Sequence, residues 1–178
     1  MFIDFYNMPK TVVVGTQHLL SLSQRIEDRI HQEPEATLFV GWQAWKYFVP
    51  QIERYQALSQ DMNITFFCQE HPPLGLTPAI ETIKLPAHDR LSNLWFLVAN
   101  STQFKRGLIA HEQARSFSGH RRFKVTLLFD DAFIDRSVTH LQTVTLLHKS
   151  NIKGLPHDAA SDPNSAPSSD HPLSLTGS

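Results

Sequence analysis

The residues best placed to do chemistry follow a short apolar run. Val40 and Gly41 lead into Trp42, Gln43, Trp45, Tyr47 and Phe48, an aromatic cluster with one amide in its midst. Such a cluster in a strand-to-helix turn has two readings. It lines an apolar or aromatic ligand pocket in which Gln43 fixes orientation, or it packs a helix onto the core. Arg54 and Tyr55 from the next helix, and Trp95 at the head of an apolar strand, complete the expected ligand-binding set of Trp42, Gln43, Tyr47, Phe48, Arg54, Tyr55 and Trp95. Glu27 and Glu53 are candidate partners for Arg54. That ion pair reads either as a structural tie between helices or as a polar element with two states.

No enzyme signature accompanies these residues. The chain holds no GxxxxGK[ST] or GxGxxG phosphate-cradling loop and no GxSxG nucleophile elbow. Its one cysteine, Cys68, and its ten scattered histidines lack zinc-ligand spacing, so neither a metal nor a cofactor is expected. Cys68 closes a predicted strand, where a buried thiol acts as a small hydrophobe and an exposed one invites redox or chromophore chemistry. Asp130-Asp131 resembles a phosphoacceptor pair, but the first predicted strand ends in Gly41-Trp42 rather than in acids, so the aspartates read as a helix cap. A site assembled from Arg54, His111 and Glu112 is the remaining enzymatic reading.

The elements that must position these residues show in the apolar periodicity. Leu19, Leu22, Ile26 and Ile30 recur every three or four residues and predict a helix over 16–31, with Arg25, Glu27, Asp28 and Arg29 mostly off the stripe. A strand is expected at 36–41, then a helix reaching Ser59 with Phe48, Ile52, Tyr55 and Leu58 inward and Pro50 at its first turn or at a kink. Strands follow at 63–68, 82–85 and 94–99, with a proline-bearing loop or lid over 70–79. Phe104, Leu108 and His111 suggest a helix over 102–114, ahead of a polar loop at 115–120, a strand at 122–129 and a last helix ending near Lys149. Strands alternating with helices predict an α/β fold: a single three-layer domain whose mostly parallel sheet of four to five strands is flanked by helices.

Composition bounds the rest. Apolar residues make up 41% of the 178, enough for a core in one domain. A net charge of −1 supplies no basic surplus for nucleic-acid phosphates, so no direct nucleic-acid partner is expected. The lone cysteine, a start without signal-peptide character and the lack of a membrane-length apolar run predict a cytoplasmic protein away from membranes. Residues 150–178, rich in Pro, Ser and Asp, read as a disordered tail, either a tether to an output module or dispensable, after a domain over 1–149.

Three stretches together resemble the DICT sensory domain. They are Leu22-Ser23-Gln24-Arg25-Ile26-Glu27-Asp28; Val40-Gly41-Trp42-Gln43 with Phe48, Glu53-Arg54-Tyr55 and Leu58; and Trp95-Phe96-Leu97-Val98 with Leu108-Ile109-Ala110-His111-Glu112 and Arg121-Arg122-Phe123. The resemblance spans about Val12 to Leu147. Trp42 stands where the family usually has Phe, and Leu94 where it usually has an acidic residue. The resemblance implies a non-enzymatic input module in bacterial light or redox signalling. It implies partners such as a histidine kinase, a response regulator or a diguanylate cyclase, in cis or in trans, and it implies no particular ligand. The rival reading is a ligand-free interaction module, such as a homodimer.

Overall fold

The chain's β-branched and aromatic runs pair into one sheet. The structure, a computed structural model, describes residues 10–72, 76–113 and 119–153. Its strands are β1 (Lys10–Gly15), β2 (Thr37–Gly41), β3 (Asn63–Cys68), β4 (Ile80–Lys84), β5 (Trp95–Asn100), β6 (Lys105–Glu112) and β7 (Arg122–Leu128). Helix α1 covers Thr16–Ile30, the short α2 Trp45–Phe48, α3 Ile52–Leu58 and α4 Asp131–Lys153. A 3₁₀ turn at Val49–Gln51, with Pro50 in its first turn, joins α2 to α3.

This architecture corrects the expected one. The sheet has seven strands in the order β1-β7-β6-β5-β2-β3-β4. Only β2·β3 and β3·β4 are parallel; β1·β7, β7·β6, β6·β5 and β5·β2 are antiparallel. The sheet is therefore neither mostly parallel nor limited to four or five strands. Two segments account for the difference. Residues 105–112, expected to be helical, form β6. There Leu108 and Ala110 point to one core and Ile109 to the other, an alternation that the spacing of Phe104, Leu108 and His111 conceals. Ser101 closes the β5–β6 hairpin, its Oγ accepting from the Gln103 and Phe104 amides at 3.2 and 2.9 Å. With β6 a strand, no helix crosses between β5 and β7, and the three run as a meander. The second segment is Lys10–Gly15, a Val-rich strand at the sheet edge that sequence reading left unassigned.

The sheet separates two cores. On one face Leu38, Val40, Phe66, Trp95, Leu97, Leu108 and Phe123 pack against α1, α2 and α3. On the other, Phe39, Phe67, Phe96, Val98 and Leu128 pack against Ile134, Val138 and Leu141 of α4. Asp130 caps α4, its carboxylate accepting from the Phe133 amide at 2.6 Å. The helix continues to Lys153, past the expected end near Lys149. Of the segments read as loop or tail, residues 73–75, 114–118 and 154–178 lie outside the described residues.

Gly41 is the close-approach point of the sheet. It pairs with Phe96 across β2 and β5, and a Cβ at Gly41 would fall on the buried Phe96 ring. Gly41→Ala is expected to cost about 1–3 kcal/mol, because the new methyl displaces the buried Phe96 ring from its packing. Urea unfolding measures this, and an unchanged midpoint would contradict the packing described.

Candidate functional site

The end of β2 delivers the aromatic cluster into the core. Trp42 is 2% exposed, its amide donating to the Phe67 carbonyl at 3.1 Å, so it prolongs the β2–β3 pairing before the chain turns into α2. Trp95 arrives at the head of the adjacent antiparallel strand. The two indoles lie against each other with ring centroids 4.3 Å apart. Phe48 from α2 meets Trp42 at 5.7 Å and Phe66 at 4.6 Å, and Tyr55 from α3 meets Phe48 at 5.3 Å. Phe48 and Tyr55 are as buried as the indoles. These four expected site residues thus form one continuous ring stack.

The indole pair carries an unusual feature. Trp42 Nε1 and Trp95 Nε1 are both buried and, among the described residues, no acceptor reaches either. Burying an N–H without an acceptor costs on the order of 1–3 kcal/mol. Trp45 shows the ordinary outcome: its Nε1 donates to the Glu70 carbonyl at 3.0 Å, and its amide to the Glu70 carboxylate at 2.8 Å.

Gln43 and Tyr47, both half-buried, stand at the rim of the stack. Gln43 Nε2 donates to the Asn93 carbonyl at 3.0 Å, and its Oε1 accepts from Arg121 Nη2. Arg121 lies 3.8 Å over the Tyr47 ring and 4.8 Å over Phe123, which in turn meets Trp95 at 5.9 Å. Glu112 clamps the same guanidinium through two contacts of 2.8 Å, which favours the charged form and raises the Arg121 pKa. Arg121 Nη1 is a third buried donor with no acceptor among the described residues. Arg121 and Phe123 belong to this end of the molecule, yet sequence reading placed neither in the site. Arg121 lies 78 residues from Gln43, and its signals are its place in the Arg121-Arg122-Phe123 stretch of the resemblance and its position two residues before the inward-facing Phe123 of β7.

Arg54 and Tyr55 face the other way, into α1. Tyr55 Oη donates to Glu27 Oε1 at 2.6 Å and Arg54 Nε donates to Glu27 Oε2 at 2.8 Å. Arg54 Nη2 also reaches Asp28 at 2.6 Å. The partners of Arg54 are thus Glu27 and Asp28, and Glu53 is exposed. Glu27 sits on the buried stripe of α1 at 2% exposure, not off it as the apolar periodicity suggested. Burial raises its pKa, and the bonds from Tyr55 and Arg54 offset that only in part. Burial, then the Glu27 charge, pushes the Tyr55 phenol well above its usual value.

The residues of the enzymatic reading do not meet. Arg54 is held by Glu27, Glu112 by Arg121, and His111 is exposed on the sheet face opposite Glu112. Cys68 is buried and burial raises its thiol pKa, the setting of an unreactive cysteine. Among the described residues no group of three or more His, Cys, Asp or Glu is placed to hold a metal, and no helix is long and apolar enough to cross a membrane.

Comparison with known proteins agrees with a sensory rather than a catalytic class. The family model described as a sensory domain in diguanylate cyclases and two-component systems, DICT, matches residues 4–113. The chain belongs to the DICT family. The matched residues hold β2 to β6 and the ring stack, and exclude Arg121, β7 and α4. No curated protein matches the sequence. Among solved structures the fold is similar to that of TrmBL2, an archaeal chromatin protein described as showing a novel mode of DNA binding. The TM-score is 0.50 at 9% identity, over 83% of this chain and 55% of that one. At 9% identity the likeness concerns the fold alone, and this chain spans little more than half of that protein's length.

The Glu27 knot yields a pH test. A raised carboxyl pKa means that the folded state holds its proton more tightly than the unfolded chain does. Stability from this group is therefore greatest below the unfolded value near 4.5 and declines as pH rises through the folded value. Arg54→Met strands the buried Glu27 charge, and a loss of about 3–5 kcal/mol is expected at pH 7. The deficit should shrink as the pH is lowered, because protonating Glu27 removes the stranded charge. Thermal unfolding of both proteins across pH 5–8 measures it, and a deficit independent of pH would contradict the assignment.

Proposed function

We propose that this chain is a non-enzymatic sensory or regulatory module of bacterial signal transduction, working in the cytoplasm. It takes a small ligand or a partner protein at the Trp42–Gln43 end of the sheet. Trp42, Gln43, Tyr47, Phe48 and Trp95 form the receiving end, and Arg54 and Tyr55 tie it to α1. The observation that carries this reading is the pair of buried indole N–H groups on Trp42 and Trp95 that find no acceptor among the described residues. A domain tuned only for stability has no reason to retain two such groups side by side, and a bound acceptor would satisfy them. The side chains of Gln43, Arg121 and Tyr47 cover this end, and none of their contacts belongs to the strand ladders, so an occupant can rearrange them without unfolding a strand. The resulting bias passes to a histidine kinase, a response regulator or a diguanylate cyclase, in cis or in trans, with residues 150–178 as the connector. The net charge of −1 argues against nucleic acid as the direct partner.

A ligand-free interaction module is the second reading. Val12 and Val13 on the edge strand β1, and Leu146 and Leu147 on α4, are large exposed apolar side chains that a homodimer would cover.

Native mass spectrometry, with an absorbance spectrum of the full chain purified from its own host, separates the two. A co-purifying small molecule is expected, with its affinity reduced about tenfold in Trp95→Phe through loss of one buried hydrogen bond. An empty protein that shows no thermal shift across a metabolite panel, and that dimerises with concentration, would replace the sensor by the interaction module.

A further inference from the structure

We infer that the flank of α4 is a second binding site, for a small amphipathic carboxylate. It lies on the sheet face opposite Trp42 and Trp95. Helix α4 stands on the sheet through Ile134, Val138 and Leu141, and beside that line of contact a cavity of about 250 Å³ remains open. Its floor is apolar: Phe96 and Val98 of β5 and Ile109 of β6. Phe133, 38% exposed, forms the wall on the helix side. A neighbouring cavity of about 470 Å³ shares Ile109, Phe133 and Arg136, so the two form one groove. The larger lies within the ~300–1,000 Å³ of small-molecule sites.

The polar groups of the first cavity all come from α4 and are cationic or neutral. Arg136 and His140 stand one turn apart with Ser137 between them. The Arg136 guanidinium packs 5.8 Å over the Phe133 ring. Among the described residues no carboxylate pairs with Arg136 or His140, although α4 and its surroundings hold several pairs elsewhere, such as Lys105–Asp135 and Lys149–Glu81. The second cavity also holds one carboxylate, Asp130, which accepts from the Phe133 amide at 2.6 Å. An apolar slot rimmed by a solvent-exposed guanidinium that has no carboxylate partner among the described residues matches a ligand with an apolar body and one carboxylate. The floor belongs to the family-matched residues and the wall to α4, which follows them, so this specificity comes from the chain's own C-terminal helix.

Octanoate, 1-octanol and octylamine, titrated calorimetrically into the full chain, test the proposal. Octanoate is expected to bind at least tenfold more tightly than either of the others. Arg136→Gln should remove about that tenfold for octanoate and leave octanol unchanged. Ser137→Phe, which fills the slot, should abolish binding of both. Amide chemical shifts of the unmutated protein should move at residues 133–140 and 96–98, a readout independent of whether either variant folds. Equal affinity for octanoate and octanol, or an unaffected Arg136→Gln, would overturn the carboxylate assignment. Shifts confined to other regions, or no binding at millimolar octanoate, would overturn the site.

Discussion

Everything on the α1 side of this sheet depends on a continuous chain of aromatic rings. It runs from Tyr55 through Phe48 and Trp42 to Trp95 and Phe123, with successive centroids 4.3–5.9 Å apart. Each ring excludes a large area from water, and each tilted pair adds about 0.5–1.5 kcal/mol beyond that burial. The chain draws its rings from α2, α3, β5 and β7 and from the turn after β2. No one element can shift without opening a gap that the others cannot close.

The ring chain ends in charge on both sides. At Tyr55 the phenol donates to Glu27, a buried carboxylate that Arg54 also holds. At Phe123 the ring lies beneath Arg121, clamped by Glu112 and bound to Gln43. Buried ion pairs add little net stability, but they are intolerant of misplacement, so they fix the register of the elements they join. A packed apolar bridge joins the two polar ends, and the indole N–H groups of Trp42 and Trp95, which find no acceptor among the described residues, sit in it.

The long periodic elements were legible from the sequence. Leu19, Leu22, Ile26 and Ile30 announced α1, and the mainly apolar, β-prone runs at 36–41, 63–68 and 94–99 announced β2, β3 and β5 to within a residue. The segment 105–112 misled because Phe104, Leu108 and His111 happen to recur at helical spacing, whereas the hairpin set by Ser101 and pairing with both neighbours made it a strand. Strand β1 was missed because a strand whose residues are nearly all exposed lacks a hydrophobic alternation to read. The same logic holds at the site. Trp42 and Gln43 stood out because they follow a strand end. Arg121 did not, because only the β6–β7 pairing brings it there from far along the chain. The Arg54–Glu27 pair was among the readings the sequence offered, but it left Glu53 as an equal candidate and placed Glu27 off the apolar stripe, because the Tyr55 hydroxyl that helps to bury Glu27 comes from another helix.

The indole resonances of uniformly ¹⁵N-labelled protein test the central claim most directly. The chain has three tryptophans, and Trp45 Nε1 already has the Glu70 carbonyl as its acceptor. Spectra of protein purified from its own host, and of the same protein after denaturation, dialysis and refolding, should differ at the Trp42 and Trp95 Nε1–H signals, each lying further downfield in the first sample, with Trp45 unmoved. Identical Trp42 and Trp95 signals in the two samples would contradict the account.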